Sequence, residues 1–358
     1  MANQIKLGSN LYQINTRVWL KQFGSLPQVP IRYWQNLKSL QMDYIWLTGI
    51  WQIPEQGKVL AMSQPAIEEY KKVLPDFRPD DVDGSPFAID SYTIDSRIGT
   101  LEEILNLRKT LHSLGLKLIL DFIPNHFGYS SQLVIQKPDL FLQTNGKILN
   151  GKDPHFEPWV DTAQLDYSRQ TTREFMQNQL LEIAKICDGV RCDMAMLVIN
   201  SVFTSTWKIQ IESKSEFWVE TIKAIKLFNP TFVFVAECYW GLENELIKEG
   251  FDYAYNKTLL DALIQNNKTL VSSNLANFPL NKGVHFLENH DEQRSASIFE
   301  LETLKTNAAL LNSLPGLKLY FDGQLQGYKI RTPIQLNRSP IEKTNSEIEE
   351  FYYRLLRK

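Results

Sequence analysis

In the run Leu116-Lys117-Leu118-Ile119-Leu120-Asp121-Phe122-Ile123-Pro124-Asn125-His126, a continuous apolar triplet gives way to a carboxylate, an amide and an imidazole. A strand without polar/apolar alternation is buried on both faces, as parallel strands with helices outside must be. The segment before it reads as such a helix. Thr100 and Glu103 make a capping box, and Leu101, Ile104, Leu105 and Leu111 keep helical spacing. Gly115 follows the last turn, where a left-handed cap is favoured.

The same unit recurs on either side. Strands are expected at 13–20, 43–47, 117–122, 189–193, 231–237, 251–255, 284–288 and 317–321. A second capping box, Thr171 with Glu174, is expected to open a helix carrying Met176, Leu180, Ile183 and Ala184. Eight strand–helix alternations favour an α/β fold of the (β/α)8 TIM-barrel type over a doubly wound sheet. Two connections, 51–100 and 127–166, far exceed ordinary βα loops of about 2–6 residues. Both follow strands, so both would stand at the C-terminal face, where barrels keep their active sites. The expected organisation is one catalytic barrel domain over residues 1–358. A short loop subdomain, 127–166, is inserted after the third strand, and 348–356 forms a closing helix.

Composition narrows the function. The 358 residues hold 38 Lys+Arg against 41 Asp+Glu, a net charge of −3, and 43% are hydrophobic. That much apolar surface excludes disorder, and the balanced charge gives no global case for nucleic acid as a partner. Met-Ala-Asn-Gln-Ile-Lys at the N-terminus lacks a signal-peptide core, and no run of about 18 apolar residues suggests a membrane span. Cys187, Cys192 and Cys238 are odd in number and lie in apolar segments, which reads as buried, reduced thiols in a cytoplasmic protein. Oligomeric state is not legible.

The polar residues at the strand ends carry the chemistry. The third strand ends in Asp121 with Asn125 and His126 beyond, and the fourth runs Gly189-Val190-Arg191-Cys192-Asp193. The fifth ends in Glu237, and the seventh runs into Glu288-Asn289-His290-Asp291. Carboxylates converging in a cleft suit glycosidic bond cleavage. A retaining enzyme needs one carboxylate as nucleophile and one carboxylic acid for the leaving oxygen, about 5–5.5 Å apart. Arg191, two residues before Asp193, faces the same side and would hold it ionised and oriented. Glu237 would need a raised pKa, from burial beside Tyr239 and Trp240 and from negative neighbours. Cys192 faces the other way, as barrel packing. Trp46, Trp51 and Phe87 read equally as core or as sugar platforms.

These residues resemble the motifs of glycoside hydrolase family thirteen, the α-amylase family. Asp121 to His126 is similar to its D-x-x-x-N-H, and Gly189 to Ala195 to its G-x-R-x-D-x-A. Glu237 falls at the acid after strand five, and Asn289-His290-Asp291 matches the N-H-D after strand seven. Gln164-Leu165-Asp166 is similar to the motif that closes the family's loop domain. The resemblance implies Asp193 as nucleophile, Glu237 as general acid/base and Asp291 as a third, transition-state-stabilising carboxylate. It implies that Arg191, His126, His290, Phe87, Tyr92 and Trp240 bind saccharide, while Asp121 and Asn125 are structural.

Departures from the pattern are specific. Ser91 stands where the family often has Asp, and Phe87 lacks the hydroxyl of the frequent Tyr. The 127–166 insertion is short for the family. Asn125 matches a calcium ligand, yet no partner carboxylates are identifiable, so neither metal nor cofactor is expected. The family's C-terminal β-sandwich is not read in this sequence. The resemblance implies a retaining α-glycosidase acting on an α-glucan or short saccharide. A transglycosylase would use the same catalytic set, and a non-catalytic saccharide-binding barrel is the rival of another class.

Overall fold

The computed structural model describes residues 8–211 and 213–357. The first six residues, read above for a targeting signal, and Lys358 lie outside them. Eight parallel strands close into a barrel: β1 (Ser9–Asn15), β2 (Tyr44–Thr48), β3 (Lys117–Phe122), β4 (Gly189–Cys192), β5 (Val233–Ala236), β6 (Tyr253–Tyr255), β7 (Gly283–His285) and β8 (Leu317–Phe321). β1 pairs with both β2 and β8, which seals the ring.

Side chains alternate between two cores. Leu11, Trp46, Ile119, Val235, Val284 and Leu319 fill the barrel interior. Leu118, Leu120, Val190, Cys192, Phe234 and Ala236 face outward into the layer shared with the helices. Cys192 therefore packs away from Asp193, as the alternation requires. Gly189 is needed for the close approach of β4 to β5, since a Cβ there would lie 2.5 Å from the Val233 carbonyl oxygen. All three cysteines are buried and unbridged.

Several boundaries differ from expectation. β1 starts at Ser9 and stops at Asn15, and Thr16–Trp19 is helical. The β-branched and aromatic run 16–20 has strand character, but the chain turns at the barrel rim, where no strand pairing remains. β7 ends at His285 rather than 288, because Glu288 turns to accept from Ser295 N (2.6 Å) and pairs with Arg294 (2.8 Å). The capping box at Thr100 forms as read. The one at Thr171 does not: the helix Gln170–Ile186 begins at Gln170, so Thr171 is already inside it, and Arg169 is the cap residue. The last helix is Ser346–Leu356, capped by Asn345, which accepts from Glu347 N and Ile348 N.

Both long connections carry structure of their own. After β2, Trp51–Gln52 pairs antiparallel with Ser91–Ile94, and helices Glu55–Leu60 and Gln64–Val73 lie between them. After β3, His126–Gly128 pairs antiparallel with Thr162–Gln164, with a two-residue ladder, Gln143–Thr144 against Lys147–Ile148, inside it. Among the described residues, no helix is long and apolar enough to cross a membrane.

Candidate active site

Register places the site. Arg191 of β4 is aligned with Asp121 of β3 on one side and Val235 of β5 on the other, two residues short of Asp193 and Glu237. Its guanidinium is fully buried. Nη1 bonds Asp193 Oδ1 at 2.6 Å and lies 3.8 Å from Asp121, and Nη2 lies 2.7 Å from Glu237 Oε2. The rings of Trp46, Phe87 and Tyr255 surround it at 5.4, 5.2 and 5.9 Å from its central carbon. Burial pushes the Arg191 pKa down, but Glu237, Tyr255, Asp193 and Asp121 outweigh it and keep the group charged.

Glu237 is a strongly perturbed acid. Burial, with Asp193 and Asp291 nearby, pushes its pKa up to about 8 although Arg191 opposes this. It shares a 2.8 Å hydrogen bond with the Tyr239 hydroxyl, and Met194 N donates to Oε2 at 2.7 Å. Met194 adopts a left-handed backbone, φ 42°, which turns that N–H into the site. A non-glycine residue held there is strained backbone, typical of functional sites.

Asp121 is held by its surroundings. Trp46 Nε1 and Gly49 N each donate to it at 3.1 Å, while Trp51 Nε1 donates to its carbonyl oxygen at 2.8 Å. Burial raises its pKa to about 7. Trp46 and Trp51 are thus core, with their N–H groups committed. His290 is buried, and its pKa falls to about 4. Gln13 Nε2 lies 2.7 Å from its Nδ1, which makes Nδ1 the acceptor and assigns the proton to Nε2, 3.2 Å from Asp291 Oδ2.

A cavity of ≈ 370 Å³ opens above these groups, lined by Phe87, His126, Asp193, Glu237, His290 and Asp291, together with Ser85, Trp159, Asp161, Thr162, Met194, Tyr239 and Gln335. His126 meets Trp159 at 5.4 Å with the rings tilted, and Phe87 lies 5.2 Å from the His290 ring. Two residues expected here stand elsewhere. Tyr92 packs on Trp51, Phe122 and Phe127, and its hydroxyl is spent on the backbone of Ile123. Trp240 is 39% exposed and meets His155 at 4.7 Å on the rim. The loop residues Trp159 and Gln335 carry no periodic signal in sequence. Gln13 had one: an amide flanked by the apolar Tyr12 and Ile14.

Calcium does not fit the expected position. Asn125 Oδ1 accepts from Gln164 Nε2 at 3.0 Å, and the same amide lies 3.1 and 3.0 Å from the carbonyl oxygens of Asn125 and Leu165. A side-chain nitrogen thus sits among the oxygens a cation would need, about 6–8 of them. Asp166 is committed to Arg169 at 3.0 Å and to Ser168. Among the described residues, no cluster of three His, Cys, Asp or Glu side chains could hold a metal ion.

The chain is similar to known proteins over most of its length. It is 24% identical over 262 residues to alpha-amylase MalA of Haloarcula japonica, covering 68% of this chain and 36% of that protein. It is 25% identical over 186 residues to a cyclomaltodextrinase of Thermoanaerobacter pseudethanolicus, covering 49% and 30%. The chain spans about a third of the length of these two curated relatives. Its fold matches an alpha-amylase from Lactobacillus plantarum with a TM-score of 0.73 at 23% identity, covering 98% of this chain and 81% of that one. The maltogenic alpha-amylase AmyB from Thermotoga neapolitana matches at 0.74 and 22%, covering 97% and 75%. A model of the alpha-amylase catalytic domain spans residues 31–351, which takes in all three small inserted sheets and every barrel strand after β1. The chain belongs to the alpha-amylase family of glycoside hydrolases.

Proposed function

We propose that this chain is a retaining α-glycosidase acting on α-glucans or short α-glucosides. The observation that carries the reading is one buried guanidinium, Arg191, in contact with both Asp193 and Glu237 beneath the cavity. Shared contact keeps the two carboxyl groups close, which suits a nucleophile and acid pair better than a pair separated by an attacking water. The relatives named alpha-amylase and cyclomaltodextrinase support the α-glucan class.

The chemistry follows from the charges. Asp193 attacks the anomeric carbon while Glu237, protonated near neutrality by its raised pKa, gives its proton to the departing oxygen. The glycosyl group is then covalently held on Asp193. Glu237, now a carboxylate, takes a proton from water as the water displaces Asp193, and the acid is regenerated. Arg191 holds Asp193 in line and counters the charge on Glu237 once its proton has left. Asp291 and the neutral His290, with Nε2–H as donor, bind sugar hydroxyls together with His126, and Phe87 offers an apolar face. The three buried, unbridged thiols support a reducing compartment, the cytoplasm.

The test is to incubate the protein with maltose, sucrose, trehalose, maltodextrins and glycogen, and to follow released sugar by proton NMR. The α-anomer should appear first and mutarotate afterwards. First appearance of the β-anomer overturns the retaining assignment, and no turnover of any of the panel overturns the glycosidase reading.

A further inference from the structure

The two ends of the cavity are built differently. At one end, the connection after β8 supplies Gln335 to the wall and is stitched to the connection after β2. Val82 and Leu336 form an antiparallel bridge, and Asp83 N donates to the Gln335 carbonyl at 2.9 Å. Asn337 Nδ2 bonds Asp80 O and Asp83 Oδ1, both at 2.8 Å. Arg338 grips Asp81 through two bonds of 2.6 and 2.8 Å and pairs with Asp76 at 3.0 Å. Beneath the stitches, Tyr70, Leu74, Val82 and Leu336 form a small buried core of their own. Arg331 adds a bond from this connection to the Asp291 carbonyl, 2.8 Å, and an ion pair to Glu69, 3.2 Å.

Across the barrel from this wall, the connections after β3 and β5 carry exposed aromatics. Phe156 is 71% exposed and Trp240 39%, on the same connections that bring Trp159 and Tyr239 to the cavity, and Trp240 meets the His155 ring at 4.7 Å. The chemistry says which end is which. A leaving group must pass the acid that protonates its oxygen, so it extends from Glu237 past Tyr239 toward this rim. The far side of the bound glycosyl unit, with its non-reducing hydroxyls, then faces His290, Asp291, Gln335 and the stitched wall.

We infer that the stitched wall ends the glycone side of the site, so that the protein works on the non-reducing ends of saccharide chains and does not cut within them. An internal segment would have to continue through a wall held by two arginines and a packed core, and its exclusion is specificity by obstruction. The inference rests on the glycosidase reading above.

The experiment compares two p-nitrophenyl maltoheptaosides, one with a free non-reducing end and one with its terminal 4- and 6-hydroxyls blocked as an acetal. Products of each are analysed by chromatography. The free substrate should be cut at least about 100-fold faster. Comparable cutting of both overturns the inference and leaves the glycosidase reading standing, whereas cutting of neither, nor of any unmodified saccharide, overturns both. Arg338→Ala removes the stitches to Asp76 and Asp81 away from the carboxylates. In that variant the blocked substrate should gain about tenfold relative to the free one. An unchanged ratio in Arg338→Ala and also in Asn337→Ala, each shown folded by circular dichroism, overturns the wall as the cause.

Discussion

At the N-terminal mouth of the barrel, Asp43, Asp188 and Asp252 each stand just before an even-numbered strand and cap the strand before it. Their carboxylates accept from Asn10 N, Leu118 N and Phe234 N at 2.9, 2.8 and 2.9 Å. At the C-terminal mouth, Asp121, Asp193 and Glu237 converge on Arg191. Below, Asp188 has Arg108 at 2.7 Å and Asp252 has Lys226 at 2.7 Å. Burial pushes the Asp188 pKa up, but Arg108, the Leu118 amide and His112 outweigh it and hold the carboxyl below its ordinary value. Above, three carboxylates share one cation, and burial prevails at Glu237 and Asp121. The difference lies in deeper burial and in the sharing of a single cation, which together keep a proton on an acid at neutral pH.

The largest expected effect breaks the upper ring alone. Asp193→Asn or Glu237→Gln should lower turnover on the order of 10⁴-fold, read in kcat on maltodextrin. A variant retaining wild-type kcat would remove the assigned role.

Next is pH. Activity should fall on the alkaline side with a midpoint near pH 8, where Glu237 loses its proton. The native pKa lies above the ordinary glutamate value, so the native state binds the extra proton and stability from this group declines as pH rises toward 8. Asp188 runs the other way: its contribution is present above the ordinary aspartate range and is lost as pH falls through its lowered native value. Urea melts from the ordinary glutamate range up to about pH 8, for wild type and Glu237→Gln, should show the decline from Glu237 reduced in the variant.

A smaller effect comes from the lower ring. Asp188→Ala should cost about 2 kcal/mol of stability by leaving Arg108 and the Leu118 amide short of an acceptor, while kcat at 25 °C stays within about twofold. A large loss of kcat in a folded protein would erase the division of labour between the two mouths. Smallest of all is the response to a chelator: with the Gln164 amide at the candidate cation position, EDTA should shift neither Tm nor rate. A fall in Tm that added calcium reverses would contradict it.

Legibility in the sequence followed burial. Strands β3 and β8 were readable to the residue, because each is buried on both faces and follows a glycine turn closely. The start of β1 was not, since Ser9 and Asn10 are polar and earn their strand geometry from pairing with β8, a contact no local pattern encodes. The misread cap at Thr171 has a similar cause: the helix starts from Gln170, and both threonine and glutamate are tolerated within a helix. The carboxylates of the site were legible because strand ends mark them. Gln335 and Trp159 were not, because their places come from loops stitched to segments far along the chain, and Tyr92 was drawn into the core by a backbone partner at Ile123.

The closure of the ring has a consequence for synthesis. β1 is made before the other seven strands and owes one of its two edges to β8, from Ser9 against Leu317 to Gln13 against Phe321. At about 5–20 residues per second, a ribosome needs tens of seconds to supply that partner. Throughout that interval the nascent chain carries an open parallel sheet with β1 at its border, and such borders recruit other strands. The vulnerable period of this protein is set by translation, and a chaperone that shields β1 until β8 emerges should raise its yield.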